Sequence, residues 1–361
     1  MPLNKLGIKK KIALSLYARY RNNAARLHEL SYIFWECTLR CNMSCLHCGS
    51  DCLASAVQPD MPLGDFLGAL DKLSPNIDPG KTTIALTGGE PLLREDLADC
   101  GREFMRRGYN WGFVTSGFLL TESKLKELLD AGLRSITISL DGLAENHNWL
   151  RGRENSFDRA LAAIKLVAAT PGLTYDVATT VHQRSIKELE EVYSLLLGSG
   201  VKRWRLFTIF PKGRAAEHAE LLPDKELLFK LFDFIKKKRA EGRMSVYFGC
   251  EGYLGEFEGE VRDGFFFCRA GVNIISVLAD GSISACPSLR ADFIQGNIYR
   301  DNIWEIWENR FHIMRDRRWT RVGECRDCKE YKRCGGGALH LRDENTKEYI
   351  YCALKEISAD K

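Results

Sequence analysis

The sequence predicts an α/β fold, an open partial (β/α)6 barrel followed by a cysteine-rich C-terminal domain. Three observations carry that expectation. From residue 32 to about 240, β-rich runs alternate with stretches of helical periodicity. Four groups of unusual residues fall at the C-terminal ends of successive predicted strands. The thiols are clustered, five between Cys37 and Cys52 and four between Cys325 and Cys352.

The predicted strands are Tyr32–Thr38, Thr82–Gly89, Asn110–Gly117, Ser135–Asp141, Tyr175–Val181 and Val201–Phe210. Helical stretches such as Ser123–Ala131, Ser156–Ala169 and Ile186–Leu197 follow them. Consecutive parallel strands need crossover helices, and right-handed crossovers curl six such units into an open barrel. Function is then expected at the strand C-terminal ends, where the loops gather. The Cys41–Cys48 group follows the first strand and Thr87-Gly88-Gly89-Glu90-Pro91 ends the second. Thr115-Ser116-Gly117 ends the third and Ser139-Leu140-Asp141-Gly142 the fourth. After a helix over Pro223–Ala240 comes an acidic, Gly-rich segment, 249–264. A hairpin of Ile274–Leu278 and Ser282–Ala285 then turns at Asp280-Gly281. The expected units are a basic helical arm (1–31), the barrel (32–241), and a bridging segment with the cysteine-rich domain (242–361).

A chain of 361 residues suits two units, and 45% hydrophobic with 28% charged residues is ordinary for a globular protein. No apolar run reaches the ~18–20 residues of a membrane span. Lys9-Lys10-Lys11 before Ile12–Leu16 imitates a signal peptide, but Arg19 and Arg21 interrupt it, so a cytoplasmic protein is expected. A net charge of +4 spread along the chain speaks against a nucleic-acid partner. Only basic charges precede Glu29, which fits either a solvated amphipathic helix or a docking arm for an acidic partner. Thirteen cysteines, an odd number in a chain without a secretion signal, point to metal rather than disulfides.

In Cys41-x3-Cys45-x2-Cys48, three thiolates on one loop can hold three irons of a [4Fe–4S] cube and leave the fourth open. A zinc knuckle is the alternative, with His47, Cys37 or Cys52 as fourth ligand, but it leaves the Gly-Gly-Glu-Pro turn unexplained. Gly88 and Gly89 allow a ligand close to the backbone, and Glu90 offers an acceptor to an ammonium.

With the Gly-Gly-Glu-Pro turn one strand beyond it, the three-cysteine loop resembles the radical S-adenosylmethionine (SAM) superfamily. The resemblance implies a partial barrel whose open iron chelates SAM, with one electron cleaving it to methionine and a 5′-deoxyadenosyl radical. It also implies that Gly88, Gly89 and Glu90 bind the SAM amino group and that Ser139 and Arg151 hold its carboxylate. An arginine fork suits a carboxylate, the bland alternative being a surface arginine. Thr115-Ser116-Gly117 departs from the family's usual Thr-Asn-Gly and receives no role. Pro211-Lys212-Gly213-Arg214-Ala215 is similar to a family segment in which Arg214 comes near SAM, or is a plain turn.

Cys268, Cys286, Cys325-x2-Cys328-x5-Cys334 and Cys352 resemble a SPASM domain, which implies one or two auxiliary [4Fe–4S] clusters. Cys325, Cys328, Cys334 and Cys352 would bind the distal one completely. The proximal one would take Cys250, Cys268 and Cys286, but Ala338 stands where the pattern expects a fourth cysteine. That leaves an iron open to substrate, to water, or to His340. Cys37, Cys52 and Cys100 are read as packing thiols, and Trp304, Trp307 and Phe311 as a core stripe.

The expected activity is hydrogen abstraction from a C–H bond of a peptide or protein, with electrons from an external flavodoxin- or ferredoxin-like donor. A tetrapyrrole side chain is the alternative substrate, and a cluster-bearing electron carrier the alternative class. With residues 1–31 alone before the first strand, peptide recognition would fall to the basic arm, the acidic segment or a partner chain.

Overall fold

The protein, seen in a computed structural model, is described over residues 7–249 and 251–358. Six parallel strands follow one another across the sheet in chain order: β1 (Tyr32–Thr38), β2 (Thr83–Gly88), β3 (Asn110–Thr115), β4 (Leu133–Ser139), β5 (Thr174–Val181) and β6 (Arg203–Thr208). The helices among them are α2 (Leu63–Leu73), α3 (Leu97–Arg106), α4 (Glu122–Asp130), α5 (Ala144–Arg151), α6 (Ser156–Ala168) and α7 (Leu189–Gly198), with α1 (Ile8–Leu27) ahead of the sheet. Alternation along β1 explains its packing. Ile33, Trp35 and Cys37 are fully buried, and Trp35 stacks on Phe66 of α2 with ring centroids 4.2 Å apart. Tyr32, Phe34 and Glu36 take the opposite face, toward the barrel interior. Gly112 fits β3 against β4, since a β-carbon there would lie 2.0 Å from the Ser135 hydroxyl.

After α8 (Lys225–Glu241), which starts on an Asp224 cap bonded to the Leu227 amide (2.8 Å), a seventh parallel strand, β7 (Ser245–Phe248), joins β6. So short a run carries too little periodicity to mark a strand in the sequence. The cysteine-rich segment does not stand apart from the barrel. β8 (Ile274–Val277) runs parallel to β1 on its free side, Tyr32 opposite Ile274 and Trp35 opposite Val277. β9 (Ser282–Ser284) and β10 (Gly296–Asn297) then extend the sheet antiparallel, giving ten strands. This covers an edge of β1 that would otherwise expose unpaired backbone groups. The short helices α9 (Ile303–Asn309), α10 (His312–Arg315), α11 (Tyr331–Cys334) and α12 (Ala353–Ser358) complete the chain.

The basic arm is docked on its own chain. Helix α1 buries Leu14 and Arg21, sets Tyr17 edge-on to Phe265 (5.4 Å) and pairs Lys10 with Glu260 of the acidic segment (2.8 Å). Among the described residues no helix is long and apolar enough to cross a membrane.

Candidate active site and cluster sites

The loop from Cys41 to Cys48 leaves the end of β1 and is fastened from several sides. The Gly89 amide bonds to the Thr38 carbonyl (2.8 Å) and the Glu90 amide to the Arg40 carbonyl (2.9 Å). A β-carbon on Gly89 would lie 2.0 Å from the Arg40 oxygen, and one on Gly88, at φ +123°, equally close to the Thr38 oxygen. The close approach these glycines permit is therefore to the cysteine loop itself. The Ser44 and Leu46 amides bond to the Arg151 and Leu150 carbonyls (3.1 and 2.9 Å), tying the loop to α5. Arg214 clamps the far end, donating from Nε to the Cys45 carbonyl (2.8 Å), from its fork to Cys52 and Asp51, and from its amide to the Cys48 carbonyl (3.0 Å). Its segment is thus more than a turn.

The three thiols face one another closely enough to perturb each other's ionisation. Burial pushes Cys41 up to about 11 and raises Cys45, against which Arg151 acts. Cys48 is pulled down to about 5 by the Cys52 thiol, whose amide also lies 3.4 Å from the Cys48 sulfur. Cys52 therefore belongs to this neighbourhood, whereas Cys37 and Cys100 are fully buried packing thiols.

Glu90 is buried with both carboxylate oxygens engaged. Thr115 Oγ1 donates to Oε1 (2.7 Å), the Ser116 hydroxyl and amide donate to Oε2 (2.7 and 2.9 Å), and the Leu92 amide donates to Oε1 (3.2 Å). The third-strand motif Thr115-Ser116 thus holds the Glu90 side chain. Ser139 closes β4, half-buried. Arg151 ends α5 away from open solvent. Its Nε bonds to Asp141 (2.6 Å) and Nη1 lies 3.8 Å from the Cys45 sulfur, so the surface reading fails. Burial opposes the Asp141 charge, but Arg151 and His47 prevail and hold it down at about 2. Three histidines surround this pair, and burial lowers His47 to about 3 and His147 and His182 to about 4. The sequence offers His47 only as a fourth ligand to zinc and gives His147 and His182 no role of their own.

Among the described residues, buried polar atoms without partners include Asn42 Nδ2 and Oδ1, His47 Nδ1, Thr87 Oγ1 and His182 Nε2. A ligand as rich in nitrogen and oxygen as SAM suits such a rim. Among the described residues no three His, Cys, Asp or Glu side chains close around a single ion. Neighbouring thiols on one loop fit a cluster in which each iron takes one thiolate.

In the C-terminal part, Cys325, Cys328 and Cys352 all act on Cys334, whose thiol is raised by burial and by their proximity. Cys268 and Cys286 flank the β8–β9 hairpin, half-buried against the core. Cys250 lies outside the described residues. Ala338 is fully buried, its amide bonded to the Tyr349 hydroxyl (2.7 Å). His340 is packed on Phe210, centroids 4.8 Å apart, and is lowered to about 4 by burial and Lys212.

Comparison with known proteins agrees with this arrangement. Residues 35–196 match the radical SAM superfamily model and residues 268–329 the SPASM model, an iron–sulfur cluster-binding domain. The AdoMet-dependent heme synthase of Methanosarcina barkeri is 27% identical over 360 residues, 92% of this chain and 97% of that protein. The PqqA peptide cyclase of Rhizobium meliloti is 24% identical over 311 residues, 84% and 80% of the two chains. Streptococcus suis SuiB bound to S-adenosylmethionine shares the fold, with a TM-score of 0.68 at 15% identity over 92% of this chain and 80% of that one. A radical SAM domain takes SAM and a [4Fe–4S] cluster, and the second domain binds further iron and sulfur. The chain thus carries a radical SAM domain over residues 35–196 and, C-terminal to it, a SPASM domain over residues 268–329, the domain pair of a radical SAM enzyme.

Proposed function

We propose that the protein abstracts hydrogen from a C–H bond of a peptide or protein side chain held in the barrel lumen. Reductive cleavage of SAM at a [4Fe–4S] cluster would supply the abstracting 5′-deoxyadenosyl radical. In this reading Cys41, Cys45 and Cys48 hold that cluster. Gly88, Gly89, Ser139 and Arg151 bind SAM, Arg151 presenting the N–H groups of its fork that Asp141 leaves free. Glu90 acts through its carboxylate, with Thr115 and Ser116 fixing its orientation. Arg214 and the two glycines keep the loop in register with the rim. Cys268, Cys286 and Cys250 hold a proximal auxiliary cluster and Cys325, Cys328, Cys334 and Cys352 a distal one. A flavodoxin- or ferredoxin-like protein donates the electron.

The observation that carries the substrate class is the state of the lumen. Its guanidiniums are already committed, Arg205 to Asp176 (3.0 Å) and Arg290 to Glu36. Apart from Arg205 Nε, on the guanidinium already paired with Asp176, its unspent groups are neutral, notably the Thr87 hydroxyl, partnerless among the described residues. A peptide backbone, neutral and rich in donors and acceptors, suits such walls better than a ligand bearing several carboxylates. The similarity to a peptide cyclase supports the same class.

A tetrapyrrole side chain is the second reading, favoured by the near full-length likeness to a heme synthase. Reduced, cluster-loaded protein should form 5′-deoxyadenosine from SAM and accelerate when given its peptide, with the mass change on that peptide. A visible-band shift and turnover with a carboxylated tetrapyrrole, and none with any peptide co-purified from the source cells, would decide for the second reading.

A further inference from the structure

We propose that Arg21, Arg317 and Arg342 form a built-in counter-charge for the distal auxiliary cluster and set its reduction potential. The inference rests on reading Cys325, Cys328, Cys334 and Cys352 as that cluster's ligands. Three other inward-facing guanidiniums have acids beside them: Arg94 meets Asp96 at 2.7 Å, Arg151 meets Asp141 at 2.6 Å, and Arg290 meets Glu36. Arg315 spends its donors on the Gly271, Trp307 and Glu308 carbonyls, away from the thiols' own segments. Arg21, Arg317 and Arg342 lack such acids. Among the described residues none of them has a carboxylate within ion-pair distance.

Each instead spends its donors on backbone carbonyls around the thiols. Arg342 is fully buried. Its Nε and Nη2 donate to the Gly336 carbonyl (3.1 and 2.9 Å) and its Nη1 to the Lys347 carbonyl (2.7 Å). Its Nη2 also lies 3.4 Å from the Cys325 sulfur, and its carbon sits 4.6 Å from the Tyr349 ring centre. Arg21 reaches in from α1 to the Cys334 and Lys332 carbonyls (3.1 and 3.2 Å). Arg317 stands between the two cluster regions, with Nη2 on the carbonyl of Cys268, a ligand of the proximal cluster (2.7 Å), and Nη1 on the Gly337 carbonyl three residues beyond Cys334 (3.3 Å).

Carbonyl dipoles satisfy the N–H groups of a guanidinium but leave its net charge unbalanced in a medium of low dielectric. The nearby groups able to balance it are the thiols. Four thiolates outweigh the positive charge of an iron–sulfide core, so the loaded site is anionic and becomes more so on reduction. Buried cations, and an N–H directed at a ligand sulfur, favour the more negative state and raise the potential. Such tuning makes the distal cluster a better electron acceptor than its thiolates alone would.

The test uses full-length, reconstituted protein carrying Cys41, Cys45 and Cys48 as Ala, so that auxiliary signals are read alone. Potentiometric titration followed by electron paramagnetic resonance should show Arg342→Gln lowering the distal midpoint by at least a tenfold change in the reduction equilibrium, about 59 mV for one electron. Arg342→Lys should retain most of the wild-type potential. Unchanged potential in Arg342→Gln with iron retained overturns the proposal. If that variant loses its iron, Arg21→Gln takes its place, because Arg21 touches backbone carbonyls alone and is compared with Arg21→Lys. Equal potentials in that pair likewise overturn it. Iron in Cys334→Ala tests the ligand assignment separately, since undiminished iron there refutes the ligands rather than the arginines.

Discussion

A single carboxylate shows how much a rim residue is asked to do. Glu90 accepts from Thr115, Ser116 and Leu92 while carrying a charge suited to the SAM ammonium. Glu90→Gln removes that charge and turns an N–H2 group toward at least one donor. SAM affinity, measured by calorimetry on cluster-loaded protein, should fall roughly tenfold, in line with the strength of a charge-assisted bond. Unchanged affinity would make the turn structural only. The buried histidines give a pH prediction. His147 accepts from the Asp141 amide (3.0 Å), and burial holds His147 and His182 at about 4 against an ordinary 6.5. The unfolded chain therefore binds more protons as pH falls, so stability present above pH 6.5 is lost toward pH 4. The loss should be about 3 kcal/mol per histidine. Urea unfolding of the metal-free protein should show this slope, shallower in His147→Gln; identical slopes would exclude His147 as its source.

At the scale of elements, the cysteine loop is held by its neighbours more than by its own sequence. Gly89→Ala drives a β-carbon into the Arg40 carbonyl, and Arg214→Ala releases the Cys45 and Cys52 carbonyls together. Each should lower iron at the first cluster by most of its complement while leaving auxiliary iron in place, as read by iron analysis and visible absorbance. Arg214→Lys should not restore it, since an ammonium lacks the planar fork that reaches several acceptors at once. Full iron in Arg214→Ala would assign the loop's order to the glycines alone.

For the molecule as a whole, the barrel and the cysteine-rich domain share one sheet through β1 and β8, yet their clusters should be chemically separate. Changing Cys41, Cys45 and Cys48 together to Ala should abolish SAM cleavage and leave auxiliary iron bound. Loss of all iron would contradict independent sites. Ala338→Cys should supply a fourth thiolate to the proximal cluster and remove any spectral response to added thiol or peptide. Full activity in that variant would show that an open iron has no part in turnover.

Periodicity, the turn residues and the cysteine spacing determined the six β/α units, the hairpin and the loop and turn motifs, because each signal is local to a few residues. The ends of those elements moved by only one or two positions in most cases, as for β5 at Thr174–Val181. Tertiary structure decided the rest. That β8 closes on β1, that α1 lays Lys10 and Arg21 on its own chain, and that Thr115 and Ser116 grip Glu90 are contacts between segments far apart in sequence. No spacing rule records them. They depend on an unpaired strand edge, buried charges and unsatisfied carboxylate oxygens finding partners only once the sheet has brought the segments together.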